Sequence, residues 1–248
     1  MKIITFLSDF GEDDWFVAAV KGEILKIDRA LRIIDITHNI RPHDTRSAAF
    51  VLRSVYHNFP AGTVHLVIVD PGVGSERRAI MLRSGKYFFV GPDNGVFSYI
   101  IAPETEAYAI DIKKETSTTF HGRDIFGPVA ARIAAGKSLA CLKERIEDLF
   151  LFTFPEAVKQ ADCLYGEVLY VDRFGNLITN IAVESRIESI CISGQEIMVK
   201  DFYAQGSGQE AICVKGSSGY YEIASFQKRA QELFNAGVGT RITAQLRK

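Results

Sequence analysis

Val64-His65-Leu66-Val67-Ile68-Val69-Asp70-Pro71-Gly72-Val73-Gly74 is the stretch that decides the fold. Apart from His65, the first six residues are aliphatic and lack the apolar–polar alternation of a strand wetted on one face. A run of this kind, closed by a turn, marks a strand buried on both faces, as in a sheet sandwiched between helices. Asp70 follows at the end of that strand, and Gly72 and Gly74 let the backbone of the next loop approach a ligand closely. Ligands of open α/β sheets sit beyond the carboxyl ends of the strands, which is where the pattern places Asp70.

On either side of this stretch, strand and helix patterns alternate. Residues 2–7 read as a first strand, 15–27 as a helix with Phe16, Val17, Val20, Ile24 and Leu25 near helical spacing, and 32–36 as a β-branched strand. Residues 45–59 form a second amphipathic helix pattern. Short strands at 79–82 and 87–90 flank Ser84-Gly85, and 124–135 and 139–149 read as helices, with Pro128 tolerated in the opening turns of the first. The expectation is an α/β N-terminal domain, residues 1–155, with a largely parallel central sheet. From about residue 161 short strand-like pieces separated by glycine and polar turns take over: 166–171, 177–181, 189–192, 196–199, 211–215, 220–223 and 239–246. They predict a smaller all-β, antiparallel barrel-like C-terminal domain, residues 161–248, with the boundary around Pro155.

Composition narrows the function classes. The 248 residues carry a formal net charge of -1 with acids and bases interspersed, against a bulk nucleic-acid surface, which needs a basic stripe. No stretch approaches the roughly 20 apolar residues that span a bilayer. The opening apolar run stops at Ser8-Asp9 without a small-residue cleavage site, favouring a first strand over a secretory signal. Cys141, Cys163, Cys191 and Cys213 are widely spaced with no Cys-x-x-Cys pair, which fits free thiols in a reducing cytoplasm. A cytoplasmic enzyme acting on a small molecule is the expectation.

Four segments concentrate chemistry. In Leu7-Ser8-Asp9-Phe10-Gly11, Asp9 can accept hydrogen bonds from a ribose diol, coordinate a metal, or simply form a turn. In Asp70 to Arg78 the glycines match neither a dinucleotide fingerprint nor a phosphate loop, and an arginine returning on the loop can pair with Asp70, for catalysis or as a loop salt bridge. In Thr119-Phe120-His121-Gly122-Arg123-Asp124, His121 lies outside any apolar face, and Asp124 suits a helix cap. In Asp172-Arg173-Phe174-Gly175-Asn176, polar groups flank an aromatic that can stack on a ligand, or form a β-turn, as can Gly216-Ser217-Ser218-Gly219 before Glu222. His38 and His43 lack a helical metal-site spacing, but with Asp9 they leave a metal-dependent hydrolase as one alternative.

Taken in order, these segments, with Gly91-Pro92-Asp93-Asn94-Gly95, resemble the adenosine-forming S-adenosyl-L-methionine hydrolases, relatives of enzymes that fluorinate or chlorinate the same substrate. The resemblance covers nearly the whole chain. It implies a homotrimer whose substrate lies between the N-terminal domain of one subunit and the C-terminal domain of the next. It implies a catalytic set of Asp70, Arg77 and His121, ribose binding by Asp9, methionine contacts from Asp172 and Ser217, and adenosine-facing Phe174 and Asn176. Glu222, Ser218 and His43 fall on pocket positions. No metal or cofactor is implied. The reaction is in-line attack of an activated water on the 5′ carbon, giving adenosine and L-methionine. A halogenase and a non-catalytic adenosine- or S-adenosyl-L-methionine-binding protein are the alternatives.

Overall fold

The computed structural model describes residues 2–112, 116–206 and 211–247. The chain divides into two units, Met1–Thr153 and Phe154–Lys248.

The first unit contains β1 (Ile3–Ser8), α1 (Phe16–Ile27), β2 (Arg32–Thr37), α2 (Thr45–Val55), β3 (Val64–Ile68), β4 (Ala79–Ser84), β5 (Tyr87–Pro92), β6 (Glu106–Ile110), α3 (Gly127–Ala134) and β7 (Leu142–Ile146). Its strands form one sheet in the order β2-β1-β3-β5-β4-β6-β7. The run that opened the sequence argument is the central strand β3, parallel to both β1 and β5. Leu66 and Ile68 pack with Val20 and Ile24 of α1 and Val129 of α3 on one face. Val67 and Val69 pack with Ala48 and Leu52 of α2 on the other. Complete burial of such side chains is worth about 1.5–3 kcal/mol each, so the double-sided run anchors the unit.

The sheet is mixed, not largely parallel. β4 runs antiparallel to β5 and β6, and β6 antiparallel to β7. The cause is Gly85-Lys86: Ser84 pairs with Tyr87 across a two-residue turn, and a connection that short returns a strand beside its neighbour in the opposite direction. The helix expected over 139–149 is instead the edge strand β7, whose exposed Lys143, Glu144 and Arg145 suit an unpaired sheet edge. The helix expected from Asp124 begins earlier, with a π-helical turn over Gly122–Phe126 that runs into α3. Asp124 therefore lies inside the turn and caps nothing. Its carboxylate accepts from the Ser117 N–H at 3.3 Å and pairs with Arg123 at 2.6 Å, which holds it below the usual carboxylate range.

The second unit contains β8 (Val158–Gln160), β9 (Cys163–Val171), β10 (Leu177–Ala182), β11 (Ile187–Ile192), β12 (Gln195–Met198), β13 (Ile212–Lys215), β14 (Tyr220–Ala224), α4 (Ala230–Leu233) and β15 (Arg241–Leu246). The order is β12-β11-β15-β9-β10-β14-β13, with β8 added against β9 and antiparallel pairing throughout. The two ends nearly close: Val199 bridges to Cys213, and the Lys200 N–H donates to the Cys213 carbonyl at 2.7 Å. The sheet is accordingly almost a barrel around Val168, Leu177, Ile190, Tyr221 and Ile223.

Candidate active site

In the first unit the carboxyl ends of β1 and β3, the loop after β3 and the turn before α3 enclose a cavity of about 250 Å³. Asp9, His43, Asp70 and His121 all line it, together with Phe10, Phe16 and Phe120. Each polar group is held by a local cause. Asp70 ends β3, and its loop is pinned at Gly74, which has φ +78° and lies so near the Thr118 carbonyl that a Cβ would stand 2.2 Å from that oxygen. Only glycine permits this approach, which holds the Asp70 loop against the segment leading into His121. His121 is 4% exposed and immediately precedes the π-helical turn, a rare conformation enriched at functional sites.

Arg77 joins these two groups. Its Nε donates to Asp70 Oδ1 at 2.9 Å and its Nη2 to Asp70 Oδ2. The same Nη2 lies 2.8 Å from His121 Nδ1. A guanidinium only donates, so His121 Nδ1 is the acceptor and the neutral ring carries its proton on Nε2. Burial, and then the Arg77 charge, push the His121 pKa below its usual value, against the opposing pull of Asp70 and Asp124. Arg77 itself is not part of the cavity wall, and its guanidinium rests 5.1 Å from the Phe126 ring centroid. The cavity therefore meets a carboxylate and an imidazole whose shared cation is set back from it.

Asp9 accepts the His43 backbone N–H at 2.8 Å on Oδ2. His43 makes this contact in the left-handed region, at φ 69°, just before Asp44 caps α2. His38, by contrast, is buried away from the cavity, with Nδ1 2.7 Å from Ser8 Oγ and Nε2 3.1 Å from Asp35. The trio of Asp9, His38 and His43 behind the metal alternative is thus not assembled, and no group of three potential ligands is placed to hold a metal among the described residues.

The other sequence candidates lie in the second unit. The Asn176 N–H and Nδ2 donate to the two carboxylate oxygens of Asp172, at 2.8 and 3.0 Å, closing the β9–β10 turn. Phe174 projects from that turn and is 74% exposed. Ser217 is exposed in the turn between β13 and β14, where the Gly216 N–H donates to the Tyr220 carbonyl. Ser218 Oγ is buried without a partner among the described residues. Glu222 is buried on β14 and accepts from the Tyr203 hydroxyl, and burial, with the Asp172 charge, pushes its pKa up to about 7.

Sequence reasoning missed the aromatic wall. Phe10, Phe16 and Phe120 pack edge-on or tilted with ring centroids 5.5–5.9 Å apart, and exposed Trp15 packs tilted against Phe16 and edge-on against Phe120. Phe10 and Phe120 sat inside quoted segments, but only the fold reveals that they meet.

Known proteins resemble this chain over both units. The SAM hydroxide adenosyltransferase N-terminal domain matches residues 4–143 and the corresponding C-terminal domain residues 166–243. The (R)-S-adenosyl-L-methionine hydrolase of Salinispora tropica is 36% identical over 96% of this chain and 96% of its own. A fluorinase of Nocardia brasiliensis is 30% identical over 72% of this chain and 71% of its own. A solved structure of an uncharacterized conserved protein from Thermotoga maritima superposes with a TM-score of 0.89 at 32% identity, covering 98% of this chain and 99% of that one.

Proposed function

Because the chain belongs to the SAM hydroxide adenosyltransferase family, whose two domains it carries in order, we propose that it hydrolyses S-adenosyl-L-methionine to adenosine and L-methionine, with Asp70, Arg77 and His121 as the catalytic set. The observation that carries this reading is the single Arg77 Nη2 bonded to both Asp70 and His121 behind one cavity. The hydrolase relatives are named for the (R) configuration, and that sulfonium epimer is the first substrate to test.

The sulfonium leaves as a neutral thioether, so no acid is needed at the leaving group. The protein's task is to hold water in line behind the 5′ carbon, and such orientation can supply roughly 7–11 kcal/mol in favourable cases. With Nδ1 committed to Arg77, His121 offers Nε2–H to one lone pair of the water. Asp70 accepts one of its protons, leaving the second lone pair aimed at carbon. The C5′–O bond forms as the C5′–S bond breaks and its electron pair goes to sulfur. The proton passes to Asp70 and then to solvent, so one proton is released per turnover. A positioned base of this kind contributes about 10²–10⁴-fold.

The same arrangement favours water over a halide. Asp70 presents its carboxylate to the cavity while its arginine is set back. Two like charges about 4 Å apart repel by about 4 kcal/mol at the effective dielectric near a protein surface, an effect the more distant guanidinium only partly offsets.

Asp9 binds the ribose diol, and Asp172, Phe174, Asn176, Ser217 and Glu222 contact the rest of the substrate, in a homotrimer whose site lies between subunits. Phe174, mostly exposed in a single chain, leaves an aromatic face that a neighbouring subunit would cover in this arrangement. Four free thiols suit a reducing cytoplasm.

The deciding experiment incubates purified protein with each sulfonium epimer in a chelator, with and without high chloride or fluoride. Adenosine and methionine should form from the (R) epimer under every condition, and light scattering should give a trimer. Absence of both products would leave a binding protein, abolition by the chelator a metal enzyme, and 5′-halo-adenosine by mass spectrometry a halogenase.

A further inference from the structure

Gly91-Pro92-Asp93-Asn94-Gly95 leaves the end of β5 and contributes nothing to the cavity wall. Its polar groups nevertheless reach both stems of the loop that carries Asp70 and Arg77. Ladder pairing between β3 and β5 stops at Leu66 and Val90. Gly91 then passes so close to β3 that a Cβ there would stand 2.4 Å from the Val67 carbonyl. Beyond it the Asn94 carboxamide takes over from the ladder, its Nδ2 donating to the Val69 carbonyl at 2.8 Å. That carbonyl belongs to the peptide plane whose nitrogen is Asp70's own, so holding it fixes the direction in which the Asp70 side chain departs. Asn94 Oδ1 accepts from the Val96 N–H at 3.2 Å, which keeps the carboxamide from swinging away.

Asp93 holds the other stem. Its N–H donates to the Arg78 carbonyl at 3.0 Å. Its carboxylate, 4% exposed, accepts from Arg78 Nε at 2.8 Å and Nη2 at 2.6 Å, and from the Phe150 N–H at 3.0 Å. Between the stems the loop is shaped by its own bonds, Val73 N–H to the Asp70 carbonyl and Ser75 N–H and Oγ to the Gly72 carbonyl. Residues 69 and 78 are therefore held by two adjacent residues of one segment.

We propose that Asn94 and Asp93 are positioning residues that set the separation and aim of the Asp70–Arg77 pair. The role in turnover rests on the proposed hydrolysis, whereas the geometric claim stands apart from it. Neither residue touches the substrate cavity, so their loss acts on the chemical step and not on substrate binding.

The test uses Asn94→Ala, Asn94→Asp, which keeps the acceptor toward Val96 but replaces the donor with a charged oxygen facing the Val69 carbonyl, and Asp93→Asn. For each, kcat and KM for S-adenosyl-L-methionine, melting temperature and adenosine-binding stoichiometry are measured. The expected result is a fall in kcat of at least about tenfold with KM and stoichiometry unchanged. In an Asp70→Ala background Asn94→Ala should cost nothing further, because its effect runs through Asp70. The Arg77 Nε–H resonance in nitrogen-15 NMR reports its bond to Asp70 without turnover and should shift in Asn94→Ala. Wild-type kcat in Asn94→Ala and Asn94→Asp, an equal loss in both backgrounds, or an unmoved Arg77 resonance would overturn the proposal. If Asn94→Ala fails to fold, Asn94→Asp carries the same readouts. A wild-type protein that releases no adenosine while the Arg77 resonance still moves would defeat the hydrolysis reading and leave the positioning role standing.

Discussion

Replacing Arg77 with lysine keeps the charge and removes the fork. The guanidinium makes three contacts, Nε to Asp70 Oδ1, Nη2 to Asp70 Oδ2 and Nη2 to His121 Nδ1. A lysine ammonium is a single point at the end of a flexible stem and matches at most one carboxylate oxygen in that geometry. One contact to Asp70 and the contact to His121 are lost. Hydrogen bonds to charged groups are worth about 1.5–3 kcal/mol each, so the loss is at least about 3 kcal/mol. Felt in the transition state at about 1.4 kcal/mol per decade, that lowers kcat by about two orders of magnitude. A second effect adds to it: freed from Arg77, Nδ1 competes for the ring proton, and the Nε2–H form is no longer imposed. KM should hold, since Arg77 is outside the cavity wall. Initial rates of adenosine release by liquid chromatography across substrate concentrations measure both parameters, with a melting curve to show that the variant is folded. A folded Arg77→Lys enzyme with kcat within about threefold of wild type would refute the shared-guanidinium reasoning.

Three further outcomes follow from the same contacts. Because the His121 pKa lies below 6.5 and its protonation would put a hydrogen on the nitrogen that faces Arg77, kcat should hold down to pH 6.5 and fall only below it, as a pH–rate profile will show. His65, buried against Phe89 with its pKa pushed down to about 4, binds a proton more readily in the unfolded chain; stability is full above pH 6.5 and falls by about 3 kcal/mol as pH drops toward 4, and urea titrations should show His65→Phe flattening this slope. Gly74→Ala places a Cβ against the Thr118 carbonyl and should lower kcat by at least about tenfold, whereas Gly136→Ala, at φ +66° with open space around it, should cost about 1–2 kcal/mol in a melt and leave turnover intact.

What could be read from sequence was whatever local pattern determines. β3 declared itself because burial on both faces leaves an uninterrupted aliphatic run, and the second unit because closely spaced turns punctuate its strands. The direction of β4 was written in Gly85-Lys86, but short strands separated by a turn do not reveal which neighbour they join. β7 misled because Leu142 and Ile146, four apart among strong helix formers, satisfy a helix as well as a strand, and pairing with β6 decides between them. In the site, Asp70, Arg77 and His121 were legible as members of ordered segments. The aromatic wall, the backbone contact of His43 to Asp9 and the reach of Asn94 to Val69 arise from the closing of distant chain segments, and no spacing announces them.

The shared guanidinium also ties a local contact to a distant one. Asp70 and Arg77 are seven residues apart, whereas Arg77 and His121 are separated by 44. Closing the longer segment costs about 1.5 kcal/mol more chain entropy than closing the shorter one. On chain entropy alone the ion pair is the cheaper contact to close, and the imidazole contact needs the turn before α3 to be seated on the sheet. Because the loop is also fastened at Gly74 against the Thr118 carbonyl, Asp70 takes its final place only together with the segment that carries His121. Competence appears in one step, with the last contact, so partly folded or truncated chains are silent toward a metabolite that the finished enzyme consumes.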